Sequence, residues 1–173
     1  MNIRKARLVD ASEIFDLVNS LSGDGTLIKR VFPEICENIR DFTVAVSDTG
    51  VFLGCGALHL YGPHLAEVRS IVMRPAAKGK GAGGRILHAL LEEAEEQGVQ
   101  SVCLFTRIPD FFFKYGFRVV EDRTALPDKI FKDCQSCPRL HRCDEVAMVR
   151  GKLPKVSILG PRGAAQELVK VTV

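Results

Sequence analysis

A glycine-rich basic segment in the middle of the chain has the residue types of an anion-binding turn. It reads Lys78-Gly79-Lys80-Gly81-Ala82-Gly83-Gly84-Arg85 and follows an apolar, strand-like stretch that ends at Pro75. Its four glycines let the backbone take φ > 0 and approach a ligand closely. A helix that begins near Gly83 would direct unpaired N–H groups and its positive dipole end towards an anion. The spacing matches neither G-x-G-x-x-G nor G-x-x-x-x-G-K-[ST], so the segment predicts a phosphate-binding turn of another kind.

A single carboxylate stands on the apolar segment that precedes this turn. Glu67 lies in Ala66-Glu67-Val68-Arg69-Ser70-Ile71-Val72, which reads as a strand. A carboxylate among apolar neighbours is a candidate general base, because burial favours its protonated form and poises it to exchange a proton. The alternative is an ion pair with Arg69, since alternate side chains of a strand share one face. Both interpretations remain open from the sequence.

Cysteines form the second concentrated group of reactive side chains. Cys134, Cys137 and Cys143 lie within one short segment that also holds His141 and Asp144. The C-x-x-C spacing of the first two is typical of a zinc knuckle, and Cys143 with His141 or Asp144 would complete four ligands. A disulfide or redox pair is the second interpretation. Three thiols that are simply packed or exposed are the third, and the spacing does not choose among them.

Composition narrows the class of protein. The chain has 173 residues, 46% hydrophobic and 26% charged, with a formal net charge of +3, which suits one ordinary globular domain. The basic residues are scattered and few aromatics lie among them, so we expect no nucleic-acid partner. We find no membrane segment and no signal peptide, and therefore expect a cytoplasmic protein whose six cysteines are mostly reduced.

The periodicity of apolar residues predicts an alternating α/β chain. Helix and strand patterns follow in the order β-α-α-β-β-β-α-β-α-β, which favours a sheet with both parallel and antiparallel pairs. Asp10 is the expected N-cap of the first helix, and the turn Asp48-Thr49-Gly50 predicts a hairpin. The predicted strands are residues 2–8, 41–47, 51–60, 66–72, 101–106 and 116–120. The predicted helices follow Asp10, cover about 33–39, start near Gly83, and cover 110–115.

Three pieces in a fixed order give the chain a family resemblance. They are Ile71-Val72-Met73-Arg74-Pro75, Lys78-Gly79-Lys80-Gly81-Ala82-Gly83, and Phe111-Phe112-Phe113-Lys114-Tyr115-Gly116-Phe117. Together they resemble the GNAT superfamily of acetyl-CoA-dependent N-acetyltransferases over roughly residues 2 to 150. Lys78 occupies the first position of the family's [Q/R]-x-x-G-x-[G/A] loop. The resemblance implies the GNAT fold, an α/β fold with a mixed central sheet flanked by helices and with splayed strands 4 and 5.

The resemblance also implies how acetyl-CoA binds. Backbone amides of the glycine turn would hold the pyrophosphate at the helix N-terminus, while the preceding strand would pair with the amides of pantetheine. The residues assigned to this cosubstrate are Ile71, Val72, Met73, Lys78, Gly79, Lys80, Gly81, Ala82, Gly83 and Gly84.

Catalytic roles follow from the same resemblance. Glu67 stands where the resembling enzymes place a catalytic glutamate, and a backbone N–H near Ser70 or Ile71 would polarise the thioester carbonyl. Many family members protonate the leaving thiolate with a tyrosine, but Phe112 occupies that position here. Tyr115 comes three residues later and is more typical of a packed tyrosine, so we assign no general acid.

Within the superfamily, the strongest resemblance is to the acetyltransferase domain of the N-acetylglutamate synthases, in a short, stand-alone form. The segments that carry it are Gly25-Thr26-Leu27-Ile28-Lys29-Arg30, Cys55-Gly56-Ala57-Leu58, Ala66-Glu67-Val68-Arg69-Ser70 and Leu126-Pro127. It implies transfer of acetyl to the α-amine of L-glutamate, as in arginine biosynthesis.

Several cations are candidates to bind this dicarboxylate. Lys29, Arg30 and Arg107 would clamp its carboxylates through charge-assisted bonds, and Lys129 and Lys132 would line the substrate mouth. Two alternatives remain: another small amine or amino acid as the acceptor, or a non-catalytic acyl-CoA-sensing module that uses the cysteines for metal or redox control.

The last residues lie beyond the resemblance. We assign residues 1–150 to the acetyltransferase domain and 151–173 to a C-terminal extension. The apolar alternation of Val169-Lys170-Val171-Thr172-Val173 predicts an added edge strand or a surface that packs on a second copy in a homodimer.

Overall fold

The computed structural model describes residues 1–21, 29–135, 137 and 140–153. The strands of these residues are β1 (Asn2–Lys5), β2 (Phe42–Val46), β3 (Phe52–Gly62), β4 (Leu65–Met73), β5 (Ser101–Thr106), β6 (Arg118–Val119) and β7 (Val146–Gly151). The helices are α1 (Ala11–Ser20), α2 (Phe32–Glu37), α3 (Ala82–Glu96), α4 (Pro109–Phe113) and α5 (Pro127–Lys129), which continues into a π-helical turn (Ile130–Cys134). Within the described residues, every helix falls short of the length or the apolar character that crossing a membrane requires.

The chain divides into two compact units that share strands β3 and β4. The first unit comprises Met1–His59 and Val68–Glu96. Its strands lie in the order β1-β2-β3-β4, and β1 pairs antiparallel with β2, which pairs antiparallel with β3. The apolar faces of α1, α2 and these strands meet in one core around Ile14, Val44 and Val72. The predicted apolar stripe of α3 is buried throughout, at Ile86, Leu87, Leu90, Leu91 and Ala94.

The second unit comprises Leu60–Glu67 and the described residues of Gln97–Val173. Its strands lie in the order β4-β5-β7-β6. The start of β4 pairs parallel with β5 over two residue pairs, Ala66 with Val102 and Glu67 with Cys103, as predicted for splayed strands. The pairing of β5 with β7 and of β6 with β7 is antiparallel, so the sheet is mixed.

The predicted order of elements is confirmed, and two elements were missed. The structure adds α5 and β7 after the last predicted strand. β7 inserts between β5 and β6, and its central residues are fully buried. Because it ends at Gly151, it crosses the predicted domain boundary at residue 150 by one residue, and that boundary stays a prediction. The predicted strand at residues 169–173 lies outside the described residues.

The expected helix cap at Asp10 is only partly correct. Asp10 occupies the N-cap position of α1, but its side chain makes no cap bond there. Its carboxylate instead accepts two bonds from the Arg4 guanidinium, at 2.8 and 2.9 Å, and one from the Arg7 backbone N–H. The bonds to Arg4, opposed by partial burial, hold the pKa of Asp10 below its ordinary value.

Two glycines of β3 allow a close approach of neighbouring elements in the first unit. A Cβ atom at Gly54 would lie 2.5 Å from the backbone carbonyl oxygen of Val72 and 2.5 Å from the Met73 sulfur. At Gly56 it would meet side chains, namely Ile86 Cγ2 at 2.8 Å and Ile71 Cγ1 at 3.0 Å. Side-chain ends move more cheaply than backbone, so the two positions differ in what a methyl group would cost.

We expect Gly54→Ala to lower the free energy of unfolding by about 2 to 3 kcal/mol, because the β4 backbone would have to move. Gly56→Ala is the matched control on the same strand and should cost about 1 kcal/mol, since rotamers of the facing side chains can adjust. Urea unfolding of both variants, followed by circular dichroism, measures the difference. An equal loss in both would contradict the close backbone approach at Gly54.

Candidate active site

The glycine turn forms a built anion site in the first unit. β4 ends at Met73, a 3₁₀ turn covers Pro75–Ala77, and α3 starts at Ala82, one residue before the predicted start. Between them, Gly79 and Gly81 take φ of 75° and 76°, which L side chains rarely adopt. The prediction that all four glycines take positive φ was wrong for Gly83 and Gly84. They lie in the first turn of α3, where the helix itself fixes a negative φ.

Charge and unpaired donors meet at this turn. α3 is 15 residues long, and its first N–H groups have no partner within the helix. Three exposed cations flank them: Lys78, Lys80 and Arg85. A helix N-terminus preceded by glycines and surrounded by cations binds phosphate groups favourably.

A strained residue lies in β4, three residues before that strand ends at Met73. Ser70 has φ of 55°, and it is the one non-glycine residue of the described chain with positive φ. Its carbonyl oxygen lies 3.8 Å from the Cys55 thiol. Such a conformation costs about 1 to 3 kcal/mol and interrupts regular strand geometry. The residues that follow, Ile71 and Met73, are half-buried, and Val72 is buried.

Glu67 belongs to the second unit and is held there by two buried donors. Its side chain is almost completely inaccessible, with 2% of the residue exposed. The Lys129 ammonium lies 2.6 Å from one carboxylate oxygen, and the Tyr61 hydroxyl donates to the other at 2.8 Å. The predicted pair with Arg69 is therefore wrong, and the candidate base is not isolated among apolar neighbours but bound by these two donors. Arg69 instead lies 4.0 Å from Asp41.

Lys129 joins two carboxylates inside the second unit. Its ammonium also lies 2.9 Å from Asp133, and it stands 5.7 Å from the centre of the Phe105 ring. Burial opposes the charged form of this lysine, but the charges of Glu67 and Asp133 raise the pKa of Lys129 above its ordinary value. The expectation that Lys129 lines the substrate mouth stays a prediction, and the structure shows this lysine buried against Glu67. Lys132 is exposed.

Tyr61 is a permanent donor in this network. Burial, followed by the charge of Glu67, raises the pKa of Tyr61 far above the ordinary value of a phenol. The hydroxyl therefore keeps its proton at neutral pH. Tyr61 can hold the carboxylate in place, but it is a poor acid for donating a proton to a leaving group.

A second buried pair lies beside the first. The His64 ring Nε2 and the Asp128 carboxylate are 2.9 Å apart, and both residues are buried. His64 lies in the turn directly before β4 and Glu67 lies on β4, whereas Asp128 and Lys129 are consecutive residues of α5. Two buried polar contacts thus tie this short helix to the beginning of β4.

The predicted carboxylate-binding cations lie in both units. In the first, Lys29 is exposed, and the Arg30 guanidinium lies 2.5 Å from Glu34 while its backbone is held by the Asn19 amide. In the second, Arg107 donates to Asp144 at 2.9 Å. Two of the three candidate cations thus already have acidic partners. The rest of the predicted substrate loop, Gly25 to Ile28, lies outside the described residues.

The aromatic segment of α4 is a packing element. Phe112, which stands where many family members have a tyrosine, is buried between Phe111 and Phe117, with ring centroids 4.9 and 5.9 Å away. Tyr115 is half-buried, and its ring packs 5.4 Å from that of Phe111. This agrees with the interpretation of Tyr115 as a packed tyrosine.

The cysteines are not brought together as a metal site. Cys134, Cys137 and Cys143 are free, half-buried thiols, and the described residues hold no group of three or more ligands that could bind a metal ion. Asp144 is engaged by Arg107, and the Cys143 thiol lies 3.9 Å from Glu145. The predicted zinc knuckle does not fit this arrangement, and no disulfide joins these thiols either. Burial raises the pKa of Cys134, which disfavours a reactive thiolate.

Sequence reasoning found Glu67 but missed its partners. Tyr61 lies six residues upstream on β3, and Lys129, which also binds Asp133, lies 62 residues downstream. A tyrosine at the end of an apolar strand and the i, i+4 pair Lys129 and Asp133 were the available signals. Neither signal points to Glu67 until the chain is folded.

A family model described as the acetyltransferase (GNAT) family matches residues 13–117, which is more than half of the chain. An uncharacterised N-acetyltransferase of Chlorobaculum tepidum is 37% identical over 148 residues, covering 86% of this chain and 94% of that protein. An amino-acid acetyltransferase of Mycobacterium tuberculosis is 31% identical over 136 residues, covering 78% of each. These matches confirm the resemblance that the glycine turn and its flanking strand indicate.

A solved structure with the same fold is an N-acetylglutamate synthase from Neisseria gonorrhoeae complexed with coenzyme A and N-acetyl-glutamate. It matches with a TM-score of 0.77 and 24% identity, over 86% of this chain and 34% of that chain. At this identity the likeness shows a shared fold, and it confirms the predicted mixed sheet flanked by helices.

We expect Tyr61→Phe to lower the free energy of unfolding by about 1 to 3 kcal/mol, because one oxygen of a buried carboxylate would lose its donor. The matched control is Tyr115→Phe, which removes the other tyrosine hydroxyl of the chain and should change stability by about 0.5 kcal/mol or less. Urea unfolding compares the two. A loss no larger for Tyr61 than for Tyr115 would contradict the hydrogen bond to Glu67.

Proposed function

Because the chain belongs to the acetyltransferase (GNAT) family, we propose that it transfers acetyl from acetyl-CoA to the α-amine of L-glutamate. The product would be N-acetylglutamate, as made by N-acetylglutamate synthases for arginine biosynthesis. A cytoplasmic location and a homodimer stay predictions. The observation that carries the proposal is the content of one strand: β4 holds a buried carboxylate and leads directly into an anion-binding glycine turn.

The glycine turn is proposed to bind the cosubstrate. The pyrophosphate of acetyl-CoA would accept bonds from backbone N–H groups between Lys78 and Gly84, at the N-terminus of α3. The pantetheine amides would pair with main-chain groups of Ile71, Val72 and Met73. The strained conformation at Ser70 supports a backbone N–H directed away from the ladder, where it could bind the thioester carbonyl oxygen.

Glu67 is proposed to take the proton that stops an ammonium from attacking. The acceptor loses one proton to the carboxylate, and its nitrogen lone pair then attacks the carbonyl carbon of the thioester. The tetrahedral intermediate collapses as the C–S bond breaks and its nitrogen releases a second proton to water, which leaves the neutral amide and CoA thiolate. A thiol pKa of about 8.5 makes the thiolate a tolerable leaving group, so a water molecule suffices to protonate it.

The nature of the acceptor has two sources of support. The relative named amino-acid acetyltransferase supports an amino acid. Glutamate rests on the resemblance of the segment from Gly25 to Arg30 to the substrate loop of N-acetylglutamate synthases, and the solved synthase of the same fold holds N-acetyl-glutamate. Lys29, which is exposed, would meet one carboxylate of the acceptor. Arg30 and Arg107 would share their guanidinium groups between the acceptor and their present acidic partners.

We expect Gly81→Ala to weaken acetyl-CoA binding by about tenfold, because a side chain at φ of 76° strains the turn that aims the backbone donors. Gly50→Ala is the matched control. It carries the same strain at φ of 84°, also with open space around its Cβ, but in the β2–β3 hairpin. Isothermal titration with CoA and thermal melts separate the two effects. Equal affinity in both variants would contradict the phosphate role of the turn.

The experiment that tests the function is CoA-thiol release from acetyl-CoA across the amino acids and simple polyamines. We expect turnover that prefers glutamate to aspartate, glutamine and ornithine. Glu67→Gln should lower kcat by about 10² to 10⁴-fold, because the amide cannot accept the ammonium proton.

Lys29→Ala should raise KM for glutamate by about tenfold and leave kcat nearly unchanged, since it removes a contact made equally in ground and transition states. Lys152→Ala, at an exposed lysine elsewhere, controls for the loss of one positive charge. Turnover that prefers a different amine would replace glutamate as the substrate. Tight binding of acetyl-CoA without thiol release from any amine would overturn the enzyme and support a sensing module.

A further inference from the structure

We propose that Lys129 is a positioning residue that holds the Glu67 carboxylate ionised and in a single orientation. This inference deepens the proposed function of Glu67 and rests on it. Lys129 lies on α5, 62 residues after Glu67, and is buried in direct contact with this proposed base.

The contacts of Lys129 leave its ammonium little freedom. It lies 2.6 Å from Glu67 and 2.9 Å from Asp133, and its side chain is 7% exposed. Since the two carboxylates come from β4 and from the π-helical turn, the ammonium is held from two elements at once. A lysine fixed in this way fixes its partner in turn. The Glu67 carboxylate cannot rotate without losing a short charge-assisted bond.

The arrangement still leaves Glu67 able to accept a proton. An ionised carboxylate has about four lone-pair sites on its two oxygens. One site on each oxygen is used, by Lys129 and by Tyr61 respectively. The remaining sites leave the buried carboxylate able to accept a proton, so the two donors define an orientation without using all of its acceptor sites.

Charge balance also fits a site for an ammonium. Glu67 and Asp133 contribute two negative charges and Lys129 one positive charge, so the three residues together carry a net charge of −1. Two buried carboxylates without the lysine would repel each other, and one would take up a proton. With the lysine present, one net negative charge remains to attract the acceptor and take its proton. The other titratable groups that interact with this site are Tyr61, Cys103, Cys134 and Glu145, and burial raises the pKa of each, which favours its uncharged form.

Stability alone does not account for such a pair. Replacing a buried ion pair by well-packed apolar residues is often neutral or stabilising. A leucine or methionine would fill the surroundings of Lys129, where the Phe105 ring already lies. A lysine whose charge is buried in spite of the cost of removing it from water is expected where that charge has a functional role.

The test is Lys129→Met, which keeps the unbranched stem and removes the charge. We expect kcat for glutamate at pH 7 to fall by about 10 to 100-fold, with KM for acetyl-CoA changed by less than about threefold. The acid limb of the kcat/KM profile should move to higher pH by about one unit or more, because a carboxylate without its cation is protonated more easily. A merely structural lysine would lower the amount of folded enzyme but would not move the profile.

A second readout does not depend on activity. In protein labelled with ¹³C at the glutamate δ-carboxyl, the Glu67 resonance is identified by its loss in Glu67→Gln. Its titration midpoint should lie about one pH unit or more higher in Lys129→Met than in the wild-type chain. Lys152→Met, at an exposed lysine of the same unit, should leave the midpoint and the activity profile unchanged.

Two arms keep the inference falsifiable. If Lys129→Met does not fold, Lys129→Met combined with Asp133→Asn leaves one buried carboxylate instead of two, and is compared with Asp133→Asn alone. A folded variant in which neither the Glu67 titration nor the acid limb moves would overturn the positioning role. If the wild-type chain acetylates no amine but the Glu67 midpoint still shifts, the proposed function fails while the effect of Lys129 on Glu67 stands.

Discussion

The buried contact between Lys129 and Glu67 constrains the second unit more than any other interaction. Both charges are removed from water, so each must be satisfied within the protein, and Tyr61 and Asp133 complete the set. The three-residue helix α5 has little intrinsic stability. It is held because Asp128 binds His64, in the turn before β4, and Lys129 binds Glu67 on β4. The carboxylate therefore organises its own surroundings, and the short helix exists largely to supply its partners.

A different constraint applies to the first unit, where unusual backbone conformations, and not buried polar side chains, determine the geometry around β4. Gly54 lets β3 approach the end of β4, and Ser70 breaks the regular geometry of that strand. Gly79 and Gly81 then turn the chain through left-handed conformations into α3. Each departure from regular structure lies on or next to β4. A strand distorted in this way presents main-chain donors that a regular ladder would consume.

Short patterns in the sequence correctly predicted the elements that depend only on residues close together in the chain. The glycine turn, the buried stripe of α3 and the β2–β3 hairpin follow from spacings of a few residues, and all are present. What the sequence could not supply was contact between distant segments. The partners of Glu67 come from β3 and α5, and β7 enters the sheet between two strands that precede it in the chain. The same limit applies to the zinc site predicted at the three cysteines. C-x-x-C spacing does not show whether a further candidate ligand, such as Asp144, is bound by another group, as Asp144 is by Arg107.

These contacts explain why the proposed reaction does not need the tyrosine that many family members have at the position of Phe112. Phe112 is locked between two aromatic rings, and the buried tyrosine of the second unit, Tyr61, binds the carboxylate with a phenol that resists ionisation. In the proposed reaction, the polar groups of this unit would act where the amine loses its proton. That division is chemically reasonable for thioester aminolysis, in which the ammonium must lose a proton before attack but the thiolate can depart unaided. In the proposed reaction the protein therefore acts on the deprotonation of the amine, through Glu67 and the Lys129 cation that orients it.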